Sequence, residues 1–191
     1  MKRRILIVCE GKKTEPQYFE SLKNELRLSA IDIKVEGSGY NTKSLVDYTV
    51  KLVEYAEEET VPYDEVWCVF DRDDFTAENF NNAIQKANAK KFKVAYSNQA
   101  FELWYLLHYI YCDSSLHRDE YSVKLSEHLG CKYEKNDRMI QALLRDKCGI
   151  AVRNAKRLLQ TYGNFHNPEK DNPSTTVHIL VETLLALKQQ D

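Results

Sequence analysis

Long hydrophobic runs are missing from this chain of 191 residues. The apolar stretch after Met1-Lys2-Arg3-Arg4 stops at Glu10, too short for a signal peptide, and no later stretch approaches the roughly 20 apolar residues of a membrane helix. The expectation is a soluble, cytoplasmic protein with no membrane partner. C-x-x-C pairs are missing as well. The five cysteines are odd in number and scattered, and Cys9 and Cys68 fall in strand-like runs where cysteine acts as a small apolar residue. Reduced thiols fit that usage. An excess of charge is lacking too: 27 Lys and Arg stand against 29 Asp and Glu, a formal net charge of -2. A histone-like grip on a polyanion is thereby excluded, and any such contact needs a local patch or bound cations. There is no internal repeat and no low-complexity tract. The G-x-x-x-x-G-K-[ST] spacing is absent, so "GKKT" is not a Walker phosphate loop.

What is present is enough apolar residue, 43%, to bury a full core. Ile5 to Cys9 and Val66 to Phe70 are continuous apolar runs of the kind buried on both faces of a parallel sheet. Ile31 to Val35 reads as a weaker strand and Lys93 to Tyr96 as a fourth. Thr14-Glu15-Pro16-Gln17 reads as a capping box opening a helix through Leu28, and Leu45 to Glu58 and Ala77 to Lys90 supply two more. Alternating strand and helix predicts an α/β fold with a parallel, Rossmann-like sheet flanked by helices. Beyond Ser97 the pattern turns helical. "FELWYLLHYIY" is too apolar for a surface helix, Tyr121 to Leu129, Arg138 to Leu144, Ala151 to Thr161 and Thr175 to Lys188 follow, and no clear strand lies among them. Residues 1–98 are therefore expected to form the α/β core, and residues 99–191 a mostly helical C-terminal half packed on it.

Both strong strands end in acid. In an open parallel sheet ligands gather outside the carboxyl ends of the strands. Glu10 and Asp71 stand there, Asp73 lies on the side of Asp71 if the chain stays extended, and Asp74 is in reserve. Oxygen-only ligands gathered in this way suit Mg2+ or Mn2+, which bridge to substrate phosphates. Gly11 lets the backbone approach a ligand closely. Asp73 or Asp74 also read as caps of the next helix. Glu102, at a helix start beside the same crevice, reads either as a metal or water-positioning group or as a favourable charge on the helix dipole. Lys12, Lys13 and Arg72 flank the site. Arg153, Lys156 and Arg157, with Arg138, Arg145 and Lys147 upstream, form either a second phosphate track or a solvated helix face. Ser174 or Thr175 reads as the cap of the last helix, whose first-turn amides suit a phosphate. His108 reads as a packed histidine; His166 and His178 lie near the last helix.

A glutamate-glycine pair ending the first strand, followed by Asp-x-Asp ending another, resembles the Toprim domain. The blocks "VCEGKKTEPQYF", "FDRDD", "SNQAFELWYLLHY" and "NPSTTVHILVETL", in this order, resemble the RloB-like family along nearly the whole chain. "SNQAF" departs from the proline and cysteine the family favours after the asparagine. The resemblance implies a Toprim-like α/β core with helical additions and a metal-dependent nuclease of prokaryotic phage-defence and restriction loci. On this chain the Toprim glutamate is Glu10, and the Asp-x-Asp pair is Asp71 and Asp73, expected as catalytic and metal-binding groups. Glu102 and Asp74 are further metal candidates. Gly11, Lys12, Lys13, Arg72, Asn98, Arg153, Arg157, Ser174 and Thr175 are candidates for substrate contact. The implied partners are a nucleic acid, DNA or RNA, and a defence-system protein. The alternatives are a non-catalytic module that senses a nucleotide or nucleic acid and signals to a partner, and hydrolysis of a small phosphorylated metabolite.

Overall fold

The apolar run Ile5 to Cys9 is uninterrupted because both of its faces are covered. Ile5, Ile7 and Cys9 enter one core cluster, while Leu6 and Val8 enter a second on the opposite face. Trp67 and Val69 join the first cluster, and Val66, Cys68 and Phe70 join the second. In a computed structural model that describes residues 3–28, 32–39, 42–73, 76–135, 137 and 139–188, these runs are neighbouring strands. The elements in chain order are β1 (Arg4–Cys9), α1 (Thr14–Leu26), β2 (Asp32–Gly37), α2 (Thr42–Glu58), β3 (Glu65–Asp71), α3 (Ala77–Ala89) and β4 (Lys93–Asn98). They continue with α4 (Glu102–Leu106), α5 (Arg118–Leu129), α6 (Met139–Leu144), a 3-10 turn (Arg145–Lys147), α7 (Cys148–Gln160), β5 (Ser174–Thr175) and α8 (Val177–Lys188).

The sheet has five strands in the order β2-β1-β3-β4-β5, parallel except for β5. Residues of α2 and α3, Leu45, Val46, Phe80 and Ala83 among them, cover one face. On the other, Phe19 of α1 and Trp104, Tyr121, Ala155 and Leu184 of the C-terminal helices share a single cluster with the first and third strands. The protein is thus an α/β fold with a helical C-terminal half, as the sequence predicts. No helix among the described residues is long and apolar enough to cross a membrane.

Several local expectations are corrected. Thr14 is not a cap: α1 has no side-chain cap, and the Thr14 hydroxyl donates instead to the carbonyl of Lys135 at 3.1 Å. The cap of α3 is Thr76, whose oxygen accepts from the Asn79 amide, and not Asp73. The apolar segment after Phe101 forms only a five-residue helix, and all of its positions are buried. A strand does occur in the second half, β5, whose two residues are too few to register as alternation. Ile31, Asp74 and Arg138 lie outside the described residues.

Candidate functional site at the carboxyl edge of the sheet

From β1 the chain crosses through α1 to β2 on one side, and from β3 it crosses through α3 to β4 on the other. The connections diverge between β1 and β3, so a crevice opens outside the carboxyl ends of these two strands. A cleft of about 420 Å³ lies there, and Glu10, Asp71, Asp73, Glu15 and Glu102 all line it.

Glu10 continues β1 by one backbone bond, its amide donating to the Val69 carbonyl at 2.9 Å. Its carboxylate reaches across to β3, Oε2 accepting from the Asp71 amide at 3.2 Å and Oε1 from the Thr42 hydroxyl at 3.1 Å. Burial pushes the Glu10 carboxyl up to about 7, against the opposing pull of those two donors. Asp71 closes β3, and its Oδ2 accepts from the Phe101 amide at 2.9 Å. Burial, then the nearby Glu15, Glu102 and Glu10, raise the Asp71 carboxyl well above the usual carboxylate range.

Asp73 reaches the cleft by a route that alternation does not describe. β3 ends at Asp71, and Asp73 takes a left-handed φ of 42° with its amide on the Gln99 carbonyl at 2.9 Å. The turn, rather than an extended chain, delivers it. Its Oδ1 meets Nη1 of Arg118, the first residue of α5, at 2.8 Å.

Two acids sit deeper. Glu102 is 2% exposed; its Oε1 accepts from the Tyr133 hydroxyl at 3.1 Å and pairs with Lys135 Nζ at 3.1 Å. Glu15, in the first turn of α1, is 7% exposed. Burial raises its carboxyl first and the charge of Glu102 adds to this, with the amides of Glu15 and Gly11 and the Lys135 ammonium opposing. A Cβ at Gly11 would meet the Glu15 carboxylate, so any larger residue there would have to push that side chain aside.

Lys12, Lys13 and Lys135 also line the cleft, so cations and carboxylates share it. The donor set is chemically suited to a hard divalent cation: oxygen atoms only, several of them buried and mutually repulsive. Among the described residues, however, no three acidic, histidine or cysteine side chains already stand at ligand spacing. Glu10 faces Thr42 and the Asp71 amide, Glu102 faces Tyr133 and Lys135, and Asp73 faces Arg118.

Other candidates are not brought to the cleft. The Asn98 amide is 2% exposed and donates to the carbonyls of Pro168 and Glu169 at 3.0 and 3.2 Å, pinning the loop before β5. Arg72 bonds back to the Asp73 carbonyl at 3.2 Å. Ser174 and Thr175 form β5 and are fully buried, which corrects the expectation that they offer a phosphate seat: the Thr175 hydroxyl donates to the Tyr96 carbonyl at 3.0 Å. On α7, Arg157 lies 4.0 Å over the Tyr111 ring and Lys156 pairs with Glu182; neither these nor Arg153 lines the cleft. His108 is buried with Nδ1 2.8 Å from the Trp104 carbonyl, a packed histidine as expected.

Sequence reasoning missed Glu15, Thr42, Tyr133 and Lys135. Glu15 was within reach, since it follows Gly11 on the first turn of the helix that leaves the site. The other three come from remote segments and carry no local signal. Residues 5–184 match the family model described as RloB-like protein. Comparison with curated proteins and with solved structures gives no match.

Proposed function

The chain belongs to the RloB-like protein family over nearly its whole length, and on that premise we propose that it is a metal-dependent phosphodiesterase of the Toprim kind, a nuclease of prokaryotic phage defence. The observation that supports this most is the placing of Glu10 and Asp71 at the carboxyl ends of adjacent parallel strands, in one cleft with Asp73, Glu102 and three lysines. The reaction is attack of water on a phosphodiester, forming one P–O bond and breaking another to leave a phosphomonoester and a free hydroxyl.

Asp71, Asp73 and Glu102 are the groups that would hold Mg2+ or Mn2+, with Glu10 beside them. Such an ion supplies positive charge to the phosphate oxygens and the departing oxygen. Lys12 and Lys13, exposed at the mouth of the cleft, hold the flanking phosphates. Glu10 takes the proton of the attacking water. Burial raises its carboxyl in the metal-free protein, and a cation bound beside it would lower it again, leaving it ionised and able to accept that proton. Its bonds from Thr42 and the Asp71 amide fix its orientation.

Incubation of purified protein with single- and double-stranded DNA, RNA and tRNA, in Mg2+, Mn2+ or EDTA, tests this reading. Metal-dependent cleavage that Asp71→Ala abolishes is the expected result. The present pairing of each carboxylate within the protein favours one other reading, a module that binds nucleic acid without cutting it. Metal-independent binding with no cleavage of any polymer would establish that module in place of the enzyme.

A further inference from the structure

Lys135 stands where a cation is wanted. Its ammonium is 3.1 Å from Oε1 of the buried Glu102, in a cleft that Glu15 and Asp71 also line. The backbone that carries it is tied down independently. The Thr14 hydroxyl donates to the Lys135 carbonyl at 3.1 Å, the Tyr133 amide donates to Ser126 Oγ at 2.9 Å, and the Tyr133 hydroxyl reaches Glu102 at 3.1 Å. The Lys135 side chain is 52% exposed, so it can swing into solvent while the segment stays in place.

We propose that Lys135 is the internal counter-ion of the carboxylate cleft, and that a divalent cation entering the cleft displaces its ammonium from Glu102. A positive charge beside them lowers the cost of holding several buried acids together before an ion arrives, since an unpaired buried carboxylate is costly. The same charge repels an incoming cation and occupies an oxygen that the ion would use. Lys135 therefore sets the concentration of metal at which the cleft fills. The inference rests on the metal reading above.

Calorimetric titration of the full chain with Mn2+ separates the two. Lys135→Met should bind Mn2+ about tenfold or more tightly than the wild type, because a like charge and a competitor are both removed. Without metal it should melt at a lower temperature. Lys135→Arg keeps the charge and should bind as the wild type does. In the wild type, Mn2+ should increase the rate at which an amine-reactive label modifies Lys135, read by mass spectrometry, and this needs no variant to fold. Equal or weaker Mn2+ binding by Lys135→Met, or a labelling rate that Mn2+ does not raise, overturns the displacement while leaving the metal site in place. No Mn2+ binding by either protein removes the metal reading itself, and the displacement with it.

Discussion

At Asp71 the demands of folding and of the proposed chemistry oppose one another. Its carboxyl is raised by burial and by Glu15, Glu102 and Glu10, so the ionised form is strained in the folded protein without a cation. The sign follows directly. Folded Asp71 and Glu10 hold protons that the unfolded chain, with carboxyls near 4, releases, so their contribution to stability falls as pH rises from about 4 through the Glu10 value of about 7. Asp71→Asn keeps an oxygen for the Phe101 amide and removes the charge. In EDTA at neutral pH it should be more stable than the wild type, by about 1–3 kcal/mol in urea unfolding, yet lack the stabilisation by Mn2+ that the proposed metal site predicts for the wild type. Lower stability in EDTA would show that the charge is compensated. His108 has the opposite sign. Burial lowers it to about 4 against an ordinary 6.5, so the neutral ring contributes stability that is complete above pH 6.5 and is lost as pH falls towards 4. The stability difference between wild type and His108→Gln should shrink by about 3 kcal/mol from pH 7 to pH 4. A pH-independent difference would mean that packing alone is lost.

Among the elements, β5 does more than its length suggests. Its two residues bring the C-terminal half onto the edge of β4, where Thr175 is fully buried. The Thr175 hydroxyl donates its one proton to the Tyr96 carbonyl at 3.0 Å and accepts from the Val177 amide at 3.3 Å, and Ser97 Oγ lies 3.1 Å away. One side chain thus joins β4 to the start of α8. Thr175→Val preserves shape and strand propensity but takes this partner from the Val177 amide and the Ser97 hydroxyl, while the Tyr96 carbonyl keeps the Thr176 amide at 2.9 Å, so it should cost about 1–3 kcal/mol. Hydrogen exchange should quicken at the first amides of α8 and along β4 and stay unchanged in β1. Exchange quickened evenly over the whole sheet would instead mark β5 as part of one cooperative unit.

For the molecule as a whole, what could be read from sequence was whatever is local. β1 and β3 were legible because burial on both faces leaves a continuous apolar run, and Glu10 and Asp71 because each breaks such a run where a strand meets solvent. Lys135 and Tyr133 were not, since only tertiary packing brings them to Glu102, and Asn98 was misplaced because nothing local shows that its amide turns to the loop before β5. The same contrast governs charge. A net charge of -2 carries no long-range pull on a polyanion, so the proposed function needs a local patch, and Lys12 and Lys13 at the cleft are the lysines placed to supply it. Each phosphate a lysine neutralises releases a counter-ion, steepening the salt dependence of duplex binding by about 0.9 in the log-log slope. Replacing both lysines with alanine should therefore weaken binding of DNA or RNA and flatten that slope by about 2. The fold should be retained, because both side chains are exposed. Binding measured by anisotropy from low to physiological salt checks this. A weaker affinity with an unchanged slope would mean that the lysines shape the loop at Gly11 rather than touch phosphate, and an unchanged affinity would move the substrate path to another face of the protein.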